Sequence, residues 1–191
     1  MQLTNTPARY GLIGQTLHWV IVALIITQYI LAGLAEEAGH DKATHPAAAL
    51  VQFVWLARHK SVGVTIFALA IVRLLWRWVS PPPAFPTAMP RWQVVAAKLA
   101  HYGFYALLFV MPISGLVMSA AANYPVSYFG LFTLPNLVAP NHDLKELMEV
   151  VHETLFDGLL VLAALHVAAA LKHHFVDRDD VLRRMLPWAS R

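Results

Sequence analysis

The sequence has no cysteine among its 191 residues, and this absence narrows the possible chemistry. It excludes disulfides, iron–sulfur clusters, thiolate metal sites, covalently attached c-type haem and thiol nucleophiles. Charged residues are scarce as well, at 13% of the chain, whereas a typical soluble domain has about a quarter. The basic residues form no stripe and the net charge is only +3, so we expect no nucleic-acid partner.

Hydrophobic residues are abundant instead, at 58%, and they concentrate in four stretches. Each stretch approaches or reaches the roughly 20 residues that a helix needs to cross a bilayer. They cover about 12–34, 59–79, 94–122 and 151–172. A soluble bundle would need polar helix faces, which these stretches lack. We therefore predict an all-α fold, an integral membrane four-helix bundle that forms a single domain over 1–191.

The distribution of lysine and arginine predicts the orientation in the membrane. Ten of these 14 residues lie on the side of the N-terminal segment, the connection between the second and third stretches and the C-terminal tail. They are Arg9, Arg73, Arg77, Arg91, Lys98, Lys172, Arg178, Arg183, Arg184 and Arg191. The two other connections hold only Lys42, Arg58, Lys60 and Lys145. Because positive residues favour the cytoplasmic side, we expect a bacterial inner-membrane protein with both termini in the cytoplasm.

The segment "THPAAALVQFVWLARHK" allows two different starts for the second helix. Thr44 can cap a helix and Pro46 suits a first turn. Either the second helix begins here and projects beyond the bilayer, or a short interfacial helix precedes it.

Five of the ten histidines lie within the apolar stretches, which makes them functional-site hypotheses because imidazole is costly in lipid. His18 and His101 lie toward the predicted cytoplasmic side, and His59 lies at the periplasmic side. The fourth stretch carries both His152, at its periplasmic end, and His166, 14 residues further in. That spacing corresponds to ~21 Å along a helix and returns the second side chain to the same face.

Two imidazoles on one face at two depths are typical of a bundle that stacks two b-type haems, each held by histidines from facing helices. His152 has one partner at its depth, His59. His166 has two candidates, His18 and His101, and depth alone does not choose between them. A zinc or copper transport path is the competing interpretation, but it normally recruits acidic or sulfur ligands beside the histidines. A hydrogen-bonded interior residue is the simpler interpretation for any single histidine.

Five motifs in order resemble the prokaryotic cytochrome b561 family over nearly the whole chain. They are "HW" at His18, "RHKSVG" around His59, "AHYGFYALLFVMPISGLVM" from Ala100, "VHETL" at His152 and "LHVAAALKHHFVDRDDVLRRMLP" from Leu165. The resemblance implies four transmembrane helices, two b haems, and electron exchange between a quinone pool and a second donor or acceptor. It also implies ligands from helices one, two and four, which pairs His18 with His166 and His59 with His152.

The stand-alone members of that family resemble this chain most, particularly in the tail. Some of them are oxidoreductases that pass electrons from superoxide to ubiquinone, and this is the function that the resemblance favours. The alternative is a cytochrome b subunit that links quinone to a hydrogenase- or dehydrogenase-type protein partner. A metal transporter or a non-redox membrane bundle is the alternative from a different class.

Two further polar residues are expected to share a helix face with one of these histidines. Arg73 lies 14 residues beyond His59, so it is expected to face the bundle and pair with a haem propionate; an arginine that reaches the lipid interface is the alternative. His173 lies seven residues beyond His166 and is predicted to contact the quinone, since imidazole supplies hydrogen bonds and protons. Its alternative is a residue that merely ends the helix. The predicted neighbours of His173 are Lys98, His101 and Arg91.

Two regions of charge remain at the ends of the predicted bundle. Arg58 and Lys60 flank His59, where they anchor the helix end or attract an anion such as superoxide. Glu149 and Glu153 are expected at a similar depth and would oppose that attraction. The alternating charges of "VDRDDVLRRM" predict a helix on the membrane surface.

Overall fold

The computed structural model describes residues 2–40 and 47–187, most of which lie in four long helices. They are α1 (Leu12–His40), α2 (Ala47–Val79), α3 (Arg91–Ala121) and α4 (His142–Lys172). All four are long and apolar enough to cross a membrane. The prediction of an all-α, four-helix membrane bundle is confirmed.

The helix α2 is continuous from Ala47, which agrees with the longer of the two predicted forms and not with a separate interfacial helix. Thr44 and Pro46, the predicted start signals, lie outside the described residues. At 33 residues, the helix spans ~50 Å, well beyond a hydrocarbon core of about 30 Å.

The helix α4 has a defined start and a defined end. It begins at the N-cap Asn141, whose side chain accepts a hydrogen bond from the Leu144 amide at 2.9 Å. After Lys172 it continues as one π-helical turn, His173–Asp177, and then stops at Arg178, whose φ of 56° is left-handed. The surface helix predicted for "VDRDDVLRRM" is therefore wrong. The structure has only a short 3₁₀ turn there, Arg183–Met185, because the left-handed residue breaks the helix first.

The four helices pack unequally. Helix α1 packs on α2, α3 packs on α4, and α2 makes a smaller contact with α3. The central core lies among α1, α2 and α3 and consists of Ile21, Leu31, Val62, Ile66, Ala70 and Leu108. Among the described residues, α4 buries only Leu159, and it makes no extended packing with α1 or α2. Rings from α4 meet those two helices instead, as in the stacked pair Tyr29–Phe156.

One end of the bundle gathers residues 2–11, the 80–90 connection and the tail 178–187, and we call it the termini end. The Asn5 side-chain amide donates to the Ser80 carbonyl at 2.7 Å. From α1, the buried Gln15 amide donates to the Arg184 carbonyl at 3.0 Å, and the Trp19 indole donates to the Met185 carbonyl at 2.8 Å. The tail is thus held against the start of α1.

The opposite end is closed by residues 123–141, and we call it the hairpin end. A short antiparallel hairpin pairs β1 (Ser127–Tyr128) with β2 (Phe132–Thr133). Its turn uses left-handed φ values at Phe129 and Gly130, 47° and 76°. The Ser61 hydroxyl, 1% exposed, accepts from the Phe129 amide at 3.0 Å. Its single proton is shared between the Ala57 carbonyl of α2, at 2.9 Å, and the Ser127 carbonyl of the hairpin, at 3.2 Å. The hairpin is therefore tied to α2 two residues from His59.

Candidate functional site: two groups of histidines

The first group lies toward the hairpin end and pairs His59 of α2 with His152 of α4. Their ring centroids are 6.3 Å apart, with an angle of 69° between the rings. The Nδ1 of His152 lies 3.1 Å from the Met111 carbonyl and 3.0 Å from the Ser114 hydroxyl, both on α3. Because a carbonyl only accepts, Nδ1 carries the proton, and Nε2 is left as the nitrogen with a free lone pair.

A small residue on α3 allows His152 to approach. A Cβ placed on Gly115 would lie 3.2 Å from Cε1 of the imidazole, which is tighter than an ordinary contact. Across the pair, the Nδ1 of His59 is buried and makes no close hydrogen bond with a described residue, although the backbone of Gln28 on α1 acts on this imidazole as a hydrogen-bond partner. The backbone of another helix therefore supports each imidazole of the pair, as is usual for histidines that bind a metal.

The second group lies toward the termini end and contains three imidazoles. The ring centroid of His166 on α4 is 6.3 Å from that of His18 on α1 and 6.0 Å from that of His101 on α3. The Phe104 ring meets His166 edge-on at 5.2 Å. The two candidate partners predicted for His166 are thus both present, and the centroid distance does not choose between them.

Both groups suit a metal held between two imidazoles. With metal–nitrogen bonds of about 2.0–2.1 Å on each side, two ring centroids come to lie about 6 Å apart. The observed 6.3 Å in both pairs agrees with that spacing. The hydrogen bond from His152 to a backbone carbonyl is the outer support that metal-ligating histidines usually have. The residues therefore fit two bis-imidazole haems.

Unpaired cations accompany the termini-end group. Arg73 is half-buried on α2 and acts electrostatically on all three imidazoles of that group. Among the described residues, neither Arg73 nor Arg77 forms an ion pair. The buried indole nitrogen of Trp76, between them on α2, also has no acceptor in that part of the chain. These groups are donors suited to a carboxylate.

Tyr10 adds a neutral donor at the same end. Burial raises the pKa of its hydroxyl above the ordinary value, although the nearby Arg77 and Arg73 act in the opposite direction. The phenol therefore keeps its proton at physiological pH.

His173 lies in the π-helical turn after α4 and is bound by two carboxylates. Its Nδ1 is 2.6 Å from Oδ2 of Asp179 and 3.2 Å from Oδ2 of Asp177, and the side chain is only 12% exposed. Sequence reasoning missed both partners. The structure records no hydrogen bond or ring contact, among the residues it describes, between His173 and its predicted neighbours Lys98, His101 and Arg91.

The charges predicted near His59 are arranged unequally. Arg58 is exposed and its guanidinium lies over the Trp55 ring at 4.8 Å, while the Lys60 ammonium lies 5.7 Å from the Tyr124 ring. Neither cation forms an ion pair with another described residue. Glu149 is neutralised by a salt bridge with Lys145, which leaves Glu153 as the opposing carboxylate.

The sequence is similar to known membrane cytochromes over almost its whole length. The chain matches the family model of prokaryotic cytochrome b561 over residues 9–188. It is 36% identical over 192 residues to cytochrome b561 homolog 2 of Escherichia coli (strain K12), an alignment that covers 100% of this chain and 97% of that protein. It is 28% identical over 180 residues to the probable superoxide oxidase CybB of Yersinia pestis, covering 94% of this chain and 96% of that protein. The chain therefore belongs to the prokaryotic cytochrome b561 family, whose members bind haem b and transfer electrons within the membrane.

Proposed function

We propose that this protein passes electrons across the bacterial inner membrane from superoxide to ubiquinone. The observation that carries the proposal is the presence of two imidazole pairs, one toward each end of the same bundle, with matching ring separations of 6.3 Å. Bound between these pairs, two b haems supply one-electron carriers at two depths. The two sites lie on one face of α4, ~21 Å apart along the helix.

The ligands that we propose are His18 with His166 and His59 with His152. A flat macrocycle needs room around the two rings that clamp it. Helix α4 packs closely on α3, which carries His101, but not on α1 or α2, which carry His18 and His59. The packing therefore supports His18 over His101 as the partner of His166. Substituting His18 by Ala should remove one haem, whereas His101→Ala should retain both in a pyridine haemochrome count.

The hairpin end is the proposed entry point for the donor. His59 lies next to two cations that have no ion-pair partner among the described residues, Arg58 and Lys60. Positive charges at a site mouth raise the encounter rate of a small anion. A relative named as a probable superoxide oxidase supports superoxide as that anion.

The termini end is the proposed site of quinone reduction. Ubiquinone takes up protons as well as electrons, and His173 and the half-buried Arg73 supply a proton-exchanging group and a fixed cation near the second pair. The excess of Lys and Arg at this end supports its assignment to the cytoplasmic side. The two connections at the hairpin end then face the periplasm.

Stopped-flow spectroscopy of the purified protein in liposomes tests the proposal. An enzymatic source of superoxide should reduce the haems rapidly, and added ubiquinone should reverse that reduction. Superoxide dismutase included from the start is the control and should abolish the reduction. Haems that stay oxidised under superoxide but reduce readily with ubiquinol would contradict the proposed donor. That result would favour the second candidate function, a cytochrome b that links quinone to a dehydrogenase-type partner.

A further inference from the structure

The carboxylates around His173 differ in how firmly they are held. Asp179 uses Oδ2 for the His173 Nδ1 at 2.6 Å and Oδ1 for the backbone amide of Val181 at 3.0 Å. Its own amide donates to the His173 carbonyl at 3.1 Å. The left-handed φ of 56° at Arg178 turns the chain so that Asp179 faces back toward the helix end. Both oxygens of Asp179 are thus fixed in place.

Asp177 is oriented by a different group. Both of its carboxylate oxygens accept from the Lys172 ammonium, at 2.8 and 2.5 Å. Its distance to the His173 Nδ1 is 3.2 Å, longer than that of Asp179. The main partner of the imidazole is therefore Asp179, and Asp177 chiefly neutralises Lys172.

We propose that Asp179 is a positioning residue, which holds the proton of His173 on Nδ1 and reserves Nε2 for proton exchange with a quinone oxygen. This inference rests on the proposed quinone-reducing function of the termini end. A carboxylate only accepts, so its partner nitrogen must be the donor. The same arrangement orients the general base in hydrolases that use a carboxylate–histidine pair.

The proton balance assigns His173 a defined step. Two superoxide anions give up two electrons and become two molecules of oxygen, and ubiquinone takes up two electrons and two protons to become ubiquinol. His173, when protonated on both nitrogens, gives the Nε2 proton to a quinone oxygen and retains the Nδ1 proton on its bond to Asp179. Water at the termini end then returns a proton to Nε2 and supplies the second proton of ubiquinol.

Replacing Asp179 by Asn changes the tautomer with little change in shape. The single oxygen of the Asn amide is claimed by the fixed Val181 N–H, so the amide NH₂ faces His173. The amide N–H favours Nδ1 as an acceptor and Nε2 as the protonated nitrogen. The carboxylate of Asp177 opposes this change only weakly, because it lies further from Nδ1, at 3.2 Å, and is bonded to Lys172. The neutral imidazole can no longer regain a proton on Nε2 while holding one on Nδ1.

The experiment follows haem reoxidation by ubiquinone after reduction by superoxide. Asp179→Asn should slow reoxidation roughly 10- to 100-fold, lower kcat more than it raises KM for ubiquinone, and leave haem content and superoxide-driven reduction unchanged. Asp180→Asn is the matched control, since Asp180 carries the same charge on the next residue and pairs with Arg184 at 2.9 Å. It should reoxidise at the wild-type rate. Asp179→Glu, which keeps an accepting carboxylate, should recover part of the rate.

The His173→Ala variant separates this inference from the proposed function. If His173→Ala reoxidises slowly but Asp179→Asn reoxidises at the wild-type rate, the positioning role is overturned and the quinone role of His173 stands. If His173→Ala itself reoxidises at the wild-type rate, both are overturned. Should Asp179→Asn lose haem, the comparison passes to Asp179→Glu. If Asp179→Glu has a lowered kcat and a wild-type KM for ubiquinone, the inference is supported. If its reoxidation rate falls only in proportion to its haem content, the inference is overturned.

Discussion

At the scale of single residues, the proposed ligand His152 shows how packing fixes the orientation of an imidazole. The Met111 carbonyl and the Ser114 hydroxyl hold its Nδ1, at 3.1 and 3.0 Å, and so fix the ring orientation. Such outer partners typically change metal affinity about 10- to 100-fold when removed. The ring also depends on the absence of a side chain at Gly115.

Substituting Gly115 by Val should lower haem content by about one haem per chain. The new Cβ would start 3.2 Å from Cε1 of His152, and its two methyl groups would push the ring off its hydrogen bonds. Gly158→Ala on α4 is the matched control, because nothing lies within 4 Å of its Cβ position. It should keep both haems and stabilise the helix by up to about 1 kcal/mol. A Gly115→Val protein with full haem content would show that the ring is not clamped by α3.

Substituting Arg73 by Ala should lower the reduction potential of the haem that we propose at the termini end. A cation favours the reduced state, which carries one more negative charge, and its loss costs on the order of 1 kcal/mol at an effective protein dielectric. Arg73→Lys should restore most of the potential, and Arg58→Ala, at the hairpin end, should leave it unchanged. Redox titration of the separated haem bands measures the effect. An unchanged potential in Arg73→Ala would remove the proposed propionate contact.

The contrast between His152 and His173 shows what the sequence could predict about the site. The helical period of 3.6 residues gives the shared face and the depths of His152 and His166, because both lie inside one regular helix. It could not give Ser114 or Met111, which belong to another helix and meet His152 only through packing. Nor could it give Asp179, since the π-helical turn and the left-handed Arg178 break the period on which the prediction relied.

At the scale of whole elements, the hairpin and α4 contribute differently. The four apolar stretches identify the four helices because hydrophobic length is a strong signal. The hairpin has no such signal: its strands have two residues each. It is set by contacts with α2, where the Thr65 and Tyr128 hydroxyls are 3.1 Å apart and Ser61 bonds its backbone. The hairpin is therefore a tertiary feature that covers the side of α2 next to His59.

Replacing Ser61 by Ala should loosen the hairpin at a cost of about 1–3 kcal/mol. The change leaves the Phe129 amide without its acceptor and removes the proton that the Ala57 and Ser127 carbonyls share. Limited proteolysis in detergent should then cut within residues 123–141 faster than in the wild type. Thr154→Ala is the matched control, since among the described residues its hydroxyl bonds only the Val150 carbonyl, on an exposed face of α4. Equal cleavage rates in the two variants would contradict an anchoring role for Ser61.

At the scale of the whole molecule, the absence of cysteine makes the orientation simple to measure. One introduced cysteine is the only thiol that a membrane-impermeant maleimide can modify. Leu131 is 77% exposed at the hairpin end, and Leu3 is 57% exposed at the termini end. We expect Leu131→Cys to react in intact spheroplasts and Leu3→Cys to react only after lysis. The reverse pattern would contradict the orientation inferred from the Lys and Arg distribution.

The proposed path also predicts opposite defects in two variants, each of which lacks one histidine of one pair. One variant should lose haem reduction by superoxide, and the other should lose haem reoxidation by ubiquinone. If electrons enter at the hairpin end and leave at the termini end, His59→Ala interrupts the path before the second pair. Superoxide should then fail to reduce the haem that remains, whereas ubiquinol should still reduce it. In His18→Ala the remaining haem lies at the entry side, so superoxide should reduce it and ubiquinone should fail to reoxidise it.

The asymmetry is measured by stopped flow on both variants, with haem content established first so that each is compared at one haem per chain. His101→Ala, with two haems, is the control and should respond to both reagents. A path in series explains opposite defects, because each reagent reaches only the pair at its own end. If both variants lost both reactions equally, the two pairs would act as one unit and not as successive carriers. If His59→Ala instead kept its response to superoxide, the donor would enter at the termini end and the proposed direction would be reversed.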